Sequence, residues 1–240
     1  MLTLIPFVMI RGAHLPTLVV VGLTSFGSTT TATNLASTLL MERSFDVLAF
    51  HARGTGGRAA EQFVRNGQIH AMLDLTTTEV ADEVVGGDFS AGPERLEAAG
   101  NAGIPQVILP GAIDMVNFGP PDTIPKRFAG RHFLRHTPTV TLMRTTEAEN
   151  RLIADFVARK LTRATGPTGV VLPTRGFSAY DILGGPFFDE AADRAFIETL
   201  RSSLPPHVRV LELDAHINDP MVAKHSVELL SELIERQDNR

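Results

Sequence analysis

Cysteine and tryptophan are both absent from the 240 residues, and tyrosine occurs once. Without cysteine there is no disulfide framework, no zinc–thiolate or iron–sulfur site and no cysteine nucleophile. Positive charge is also in short supply. The 22 Lys and Arg stand against 27 Asp and Glu, a net charge of -5, so no general basic field exists to hold a nucleic-acid backbone, and nucleic acid is not expected as a partner. No run approaches the ~20 consecutive apolar residues that a membrane span needs, so no membrane partner is expected and the chain reads as soluble and cytoplasmic. The apolar start MLTLIPFVMI has no basic residue before it, is broken by Pro6 and runs into Arg11, which does not fit a secretory signal. What is present is apolar content of 43%, enough to bury a core in one large domain or two small ones.

Apolar runs of strand length recur, each followed by a polar loop and a segment of helical period. Leu18 to Leu23 reads as a strand, then the loop Thr24 to Thr31, then a helix with Leu35, Ala36, Leu39 and Leu40 on one face. The unit repeats with the strand Asp46 to Phe50, the loop HARGTGG and a helix from Arg58 to Asn66, then with the strand Ala71 to Leu75 followed by TTTEVADEVV. A short helix around Glu94 to Ala99 precedes a strand at Gln106 to Leu109, and Pro110 to Pro138 reads as a long ordered excursion rich in Pro and Gly. Beyond it come a helix from Glu147 to Leu161 with Leu152, Ile153, Phe156, Val157 and Leu161 on one stripe, a strand at Thr168 to Leu172, a helix capped by Asp189, a strand at Val208 to Leu213 and a helix from Pro220 to Arg236. The predicted fold class is therefore α/β, a Rossmann-like three-layer sandwich with a mostly parallel sheet of six or seven strands. A closed eight-unit barrel is the competitor, for which the strands are too few.

Ligands of open parallel sheets bind outside the carboxyl ends of the strands, so the loops that follow strands carry the candidates. The first, TSFGSTTTAT, sets Thr24, Ser25, Thr29 and Thr30 before a helix N-terminus that favours an anion, although it fits neither the Walker pattern nor GxGxxG and equally reads as a Thr-rich cap. In HARGTGG, Gly54, Gly56 and Gly57 allow close backbone approach while Arg53 and Arg58 add charge before a helix; a phosphate or carboxylate site and a plain tight turn both fit. Thr77, Thr78 and Glu79 end the third strand, where Glu79 serves as a base, a metal ligand, a ribose clamp or a capping residue. Asp114 and Asn117 form a polar pair in the excursion, and Arg144 with His51, His136 and Arg175 lie near strand ends. DAHINDP brings together Asp214, His216 and Asp219 as a proton-transfer pair, a metal site or, for Asp219 before Pro220, an N-cap. Ser178 lacks the GxSxG elbow, and neither HExxH nor an EF-hand pattern is present, so no metal site is predicted.

The segments HARGTGGRA, LDLTTTEVADEVVGG, SAGPERLEAAGNAGIPQVILPGAIDMVNFG, VTLMRTTEAEN, LPTRGFSAYD, GGPFFD and ELDAHINDP resemble the carboxyl-terminal half of the UPF0261 family, also called the Tm-1-like ATP-binding family, from about Val19 to Ile234. The resemblance implies a two-domain architecture with Rossmann-like halves, of which residues 17–240 correspond to the second, residues 1–16 match nothing, and the family's N-terminal domain is a partner, in cis or as a companion chain. It implies ATP as a cofactor, with no residue of this chain assigned to it.

Together these readings predict a binding domain that forms half of a cleft for a nucleotide or another phosphorylated or carboxylated small molecule, with a homo-oligomer expected. Thr24, Ser25, Thr29, Thr30, Arg53, Gly54, Thr55, Gly56, Gly57, Thr77, Thr78, Asp114, Asn117, Arg144 and Asp219 are the binding candidates. Glu79, Asp214 and His216 are the acid–base candidates of the alternative, a hydrolase or lyase. A protein-interaction module is the third reading.

Overall fold

The computed structural model describes residues 19–238; the segment 1–16 and the apolar start lie outside them. In chain order the elements are β1 (Val20–Ser25), a 3-10 turn at Gly27–Thr29, α1 (Thr30–Glu42), β2 (Asp46–His51), α2 (Thr55–Arg65), β3 (Ala71–Thr76), α3 (Thr78–Val85), α4 (Ala98–Ala102) and β4 (Gln106–Gly111). They continue with β5 (Met115–Phe118), β6 (Phe133–Thr137), β7 (Val140–Arg144), α5 (Glu147–Thr162), β8 (Thr168–Pro173), α6 (Glu190–Ser203), β9 (Arg209–Leu213) and α7 (Pro220–Asp238). Six strands pair in parallel in the order β2-β1-β3-β4-β8-β9. The sheet is open, so the barrel is ruled out, and the Rossmann-like sandwich stands.

Alternate residues of the central strands face opposite layers, as the two-residue period of a strand requires. Leu73, Val107, Leu109 and Val171 join α1 and α7 in one apolar cluster. Ile108, Val170 and Leu172 point the other way, into a cluster with α3, α5 and α6, and Met72 meets α2 and α4 on the same side. Strands β3, β4 and β8 are buried along their whole length, which explains why they read as continuous apolar runs. The helix ends are written locally. Asp189 accepts the N–H groups of Ala191 and Ala192, both at 3.1 Å, and Thr146 exchanges hydrogen bonds with Glu149 across the first turn of α5.

Four local expectations are corrected. The first strand runs two residues later than its apolar run, because its polar end, Thr24 and Ser25, continues the pairing with β2. Helix α2 begins at Thr55, inside the glycine loop. The short helix starts at Ala98 rather than Glu94, since the Glu61 carboxylate takes the N–H groups of Leu96 and Ala98 and Leu96 sits at a φ of 70°. The Pro/Gly excursion holds β5 and β6, which with β7 form an antiparallel three-stranded sheet in the order β5-β7-β6. No helix among the described residues is long and apolar enough to cross a membrane.

Leu152, placed on the apolar stripe of α5 by its spacing, is 56% exposed, whereas Ile153 is fully buried. Ile153→Ala is expected to cost about 2–5 kcal/mol and Leu152→Ala less than about 0.5 kcal/mol, read from urea unfolding midpoints.

Candidate functional site

The order of strands reverses between β1 and β3, the position at which doubly wound sheets open a crevice at their carboxyl edge. A cavity of about 310 Å³ lies at that edge. Its floor comes from the loop after β1 (Phe26 to Ser28) and from the end of β2 and the loop that follows it (His51 and Arg53), with Phe89 beside them; its other wall comes from the β6–β7 hairpin and Tyr180. The His51 ring stacks on Phe26 with centroids 5.4 Å apart, and the Arg53 guanidinium lies 4.6 Å above the Phe89 ring. Across the cavity the Tyr180 hydroxyl and His136 Nδ1 are 2.8 Å apart. Ser28 also lines it, and its buried hydroxyl has no hydrogen-bond partner among the described residues.

The glycines of HARGTGG do permit close approach, but what approaches is the protein itself. A Cβ on Gly56 would lie 1.8 Å from the His51 carbonyl oxygen, and one on Gly57 would lie 1.9 Å from Glu79 Oε2. The N–H of Gly57 donates to Glu79 Oε1 at 2.9 Å, so an internal carboxylate takes the anion position at the start of α2. Gly54, at a φ of 72°, shapes the entry to that helix. Glu79 is fully buried and pairs with Arg95 Nε at 3.0 Å; the same guanidinium reaches Glu61 at 3.2 Å and Asp74. Burial raises the pKa of Glu79 and the Arg95 charge opposes the rise.

Of the hydroxyl candidates, Thr24, Thr29, Thr77 and Thr78 are buried. Thr24 donates to Asp74 at 3.2 Å and Thr29 meets Thr76 at 2.7 Å. Thr77 donates to the Leu109 carbonyl at 2.8 Å, and Thr78 accepts from Asn117 at 3.1 Å. Ser25 donates to the Phe50 carbonyl, Thr30 to the carbonyls of Phe26 and Gly27, and Thr55 is exposed at the first turn of α2. Asn117 also donates to Asp82 at 2.7 Å; burial pushes Asp82 up to about 7 despite that bond.

A second polar cluster lies behind the cavity. Arg144 Nη2 is 2.6 Å from Asp193 and 3.6 Å from Asp181, and the Ser178 hydroxyl donates to Asp114 at 2.7 Å. Burial, reinforced by the charge of Asp181 and opposed by Arg144, pushes Asp114 up to about 7 and Asp193 up to about 8. His216 Nε2 is 2.8 Å from the Ser178 carbonyl oxygen, so this ring donates inward, while Asp219 accepts the His216 N–H. Asp214 is turned the other way: it pairs with Arg175 at the surface, and that bond holds its pKa down. DAHINDP therefore splits between interior and solvent.

Of the candidates, the structure brings Arg53 to the cavity; His51 and His136, noted only as lying near strand ends, join it. Phe26, Phe89 and Tyr180 were not singled out from the sequence. The one available signal was that Tyr180 is the sole tyrosine.

Fold and site together define a doubly wound α/β domain with a hairpin-roofed cavity at its carboxyl edge. The chain belongs to the UPF0261 family: residues 19–234 match the model described as "Uncharacterised protein family (UPF0261) C-terminal domain". It is 45% identical over 217 residues to a UPF0261 protein of Clostridium tetani, covering 90% of this chain and 54% of the relative. It is 45% identical over 212 residues to one from Rhizobium meliloti, covering 86% and 52%. It is also 43% identical over 215 residues to the ToMV resistance protein Tm-1(GCR237) of Solanum lycopersicum, covering 89% and 28%. The chain thus spans about half the length of the bacterial relatives and less of the plant one.

Two consequences for stability follow from the buried charges. Arg95→Met leaves three buried carboxylates without their cation and is expected to cost about 3–5 kcal/mol in urea unfolding. Asp114 and Asp193, at about 7 and about 8, lie above the ordinary value of 3.8 that they regain on unfolding. Between these limits the folded protein binds more protons than the unfolded chain, so stability falls as pH rises from about 4 to about 8. The urea midpoint should be higher at about pH 5.5 than at about pH 8.5, and Asp193→Asn should narrow the difference.

Proposed function

We propose that residues 17–240 act as a ligand-binding α/β domain forming half of a cleft for a nucleotide or another phosphorylated or carboxylated small molecule. The observation that carries this reading is Arg53. Its guanidinium is exposed at the cavity, set over Phe89, and has no carboxylate partner among the described residues. A guanidinium held on an aromatic face and free of a counter-ion is a ready partner for phosphate or carboxylate. The volume also sits within the range of small-molecule sites.

The other half of the cleft comes from a companion domain or chain, or from a second copy. Greater length in the relatives supports this, as do Ile182 and Leu183, exposed in the loop that follows Asp181; Leu183 is 81% exposed. A surface of this kind also favours the protein-interaction reading. The hydrolase or lyase alternative is weakened by the engagement of its acid–base groups, Glu79 with Arg95 and Asp214 with Arg175.

Calorimetric titration with ATP, ADP and simple phosphorylated and carboxylated metabolites tests the reading. At least one should bind, and Arg53→Ala, at an exposed position, should weaken it by about 1–3 kcal/mol while the fold persists. Absence of binding by every probe, or unchanged affinity in the variant, would overturn it.

A further inference from the structure

The anion-binding reading leaves the ligand's chemistry open, and the two walls of the cavity narrow it. The part of the cleft that this chain supplies has about 310 Å³, at the lower end of the range for ligand sites and room for a compact molecule. Charge recognition is confined to the floor, where Arg53 lies over Phe89 and the His51 ring stacks on Phe26. The Tyr180 hydroxyl and His136 Nδ1, 2.8 Å apart, add a polar pair to the lining.

That pair is held in place from behind. The Tyr180 ring meets Phe187 edge-on at 6.2 Å and His136 at 5.9 Å. Its backbone N–H donates to the Ser178 hydroxyl at 3.1 Å, and that hydroxyl is itself fixed on Asp114. Such a preset phenol has little orientational freedom left to lose when a ligand arrives. Where Nδ1 carries no proton, the phenol donates to it and the phenol oxygen accepts from a ligand hydroxyl; where Nδ1 carries the proton, Nδ1 donates to the phenol oxygen and the phenol O–H is free to donate to a ligand carbonyl or hydroxyl. Burial and the nearby Asp114 hold the phenol pKa up, so the group stays an O–H. Val140 and Leu142 of the hairpin line the space between and suit a short carbon skeleton.

Resting on the anion-binding reading, we propose that the cavity takes a compact phosphorylated or carboxylated acid bearing a hydroxyl or carbonyl group, with Arg53 holding the charge and the Tyr180–His136 pair selecting for the second polar group. Tyr180 and His136 are specificity residues in this arrangement.

Titration of the full chain with matched probes tests it: glycerol 3-phosphate against propyl phosphate, glycerate against propionate, and ATP. The hydroxylated member of at least one pair should bind roughly tenfold more tightly than its deoxygenated partner and more tightly than ATP, the scale of one well-placed hydrogen bond. Tyr180→Phe keeps the ring contacts and should erase the preference; His136→Gln, at an exposed position, should reduce it in the same direction. Arg53→Ala should weaken both members of the pair. Arg53-dependent binding with no preference, with a preference that survives Tyr180→Phe, or with ATP tightest would overturn this inference and leave the anion-binding reading intact. No binding by any probe would overturn both.

Discussion

The guanidinium of Arg95 gathers carboxylates from three separate elements: Glu61 on α2, Asp74 in the middle of β3 and Glu79 at the start of α3. With the cation only 1% exposed, none of these charges has water to fall back on, so the elements that carry them are fixed relative to one another. Backbone groups complete the balance, with Gly57, Leu96 and Ala98 donating to Glu79 and Glu61. The glycine loop, the turn before α4 and the carboxyl end of β3 therefore share one electrostatic anchor.

This anchor changes how the carboxyl edge is used. In many doubly wound folds the helix N-termini along this edge face a ligand; here the α2 terminus faces Glu79, and the buried threonines after β1 and β3 bond to one another and to the strands. A cavity is left at the rim instead, between the first two loops and an added antiparallel sheet. Met115 and Leu142 of that added sheet pack with Ala112 and Phe187, and Phe26 and Tyr180 rest against the same cluster. The cavity is thus walled by apolar contacts and furnished by a few polar tips.

Period and composition made the parallel core legible, because Leu73, Val107 and Val171 need no distant partner to be recognised as interior. Asp189 and its helix were legible for the same local reason. The Pro/Gly excursion was not, since β5 and β6 are short and become strands only by pairing with β7. At the site, Gly56 and Gly57 announce close approach, yet the atom that approaches Gly57 belongs to a residue 22 positions away. Asp214 and His216 are near neighbours in sequence but face solvent and interior respectively, a difference that spacing does not carry. The Tyr180–His136 contact spans 44 residues and has no local signature.

The β6–β7 hairpin is joined to the rest of the molecule through its own small sheet and does not share a hydrogen-bonded edge with the parallel one. Its tip and inner face can change residue by residue without disturbing the register of any strand in the six-stranded core. On the proposed reading, the hairpin's share of ligand choice, His136 included, lies on a stretch of chain separate from the six-stranded core, so that this part of the recognition can diversify while the parallel sheet, and the charges buried beneath it, stay as they are.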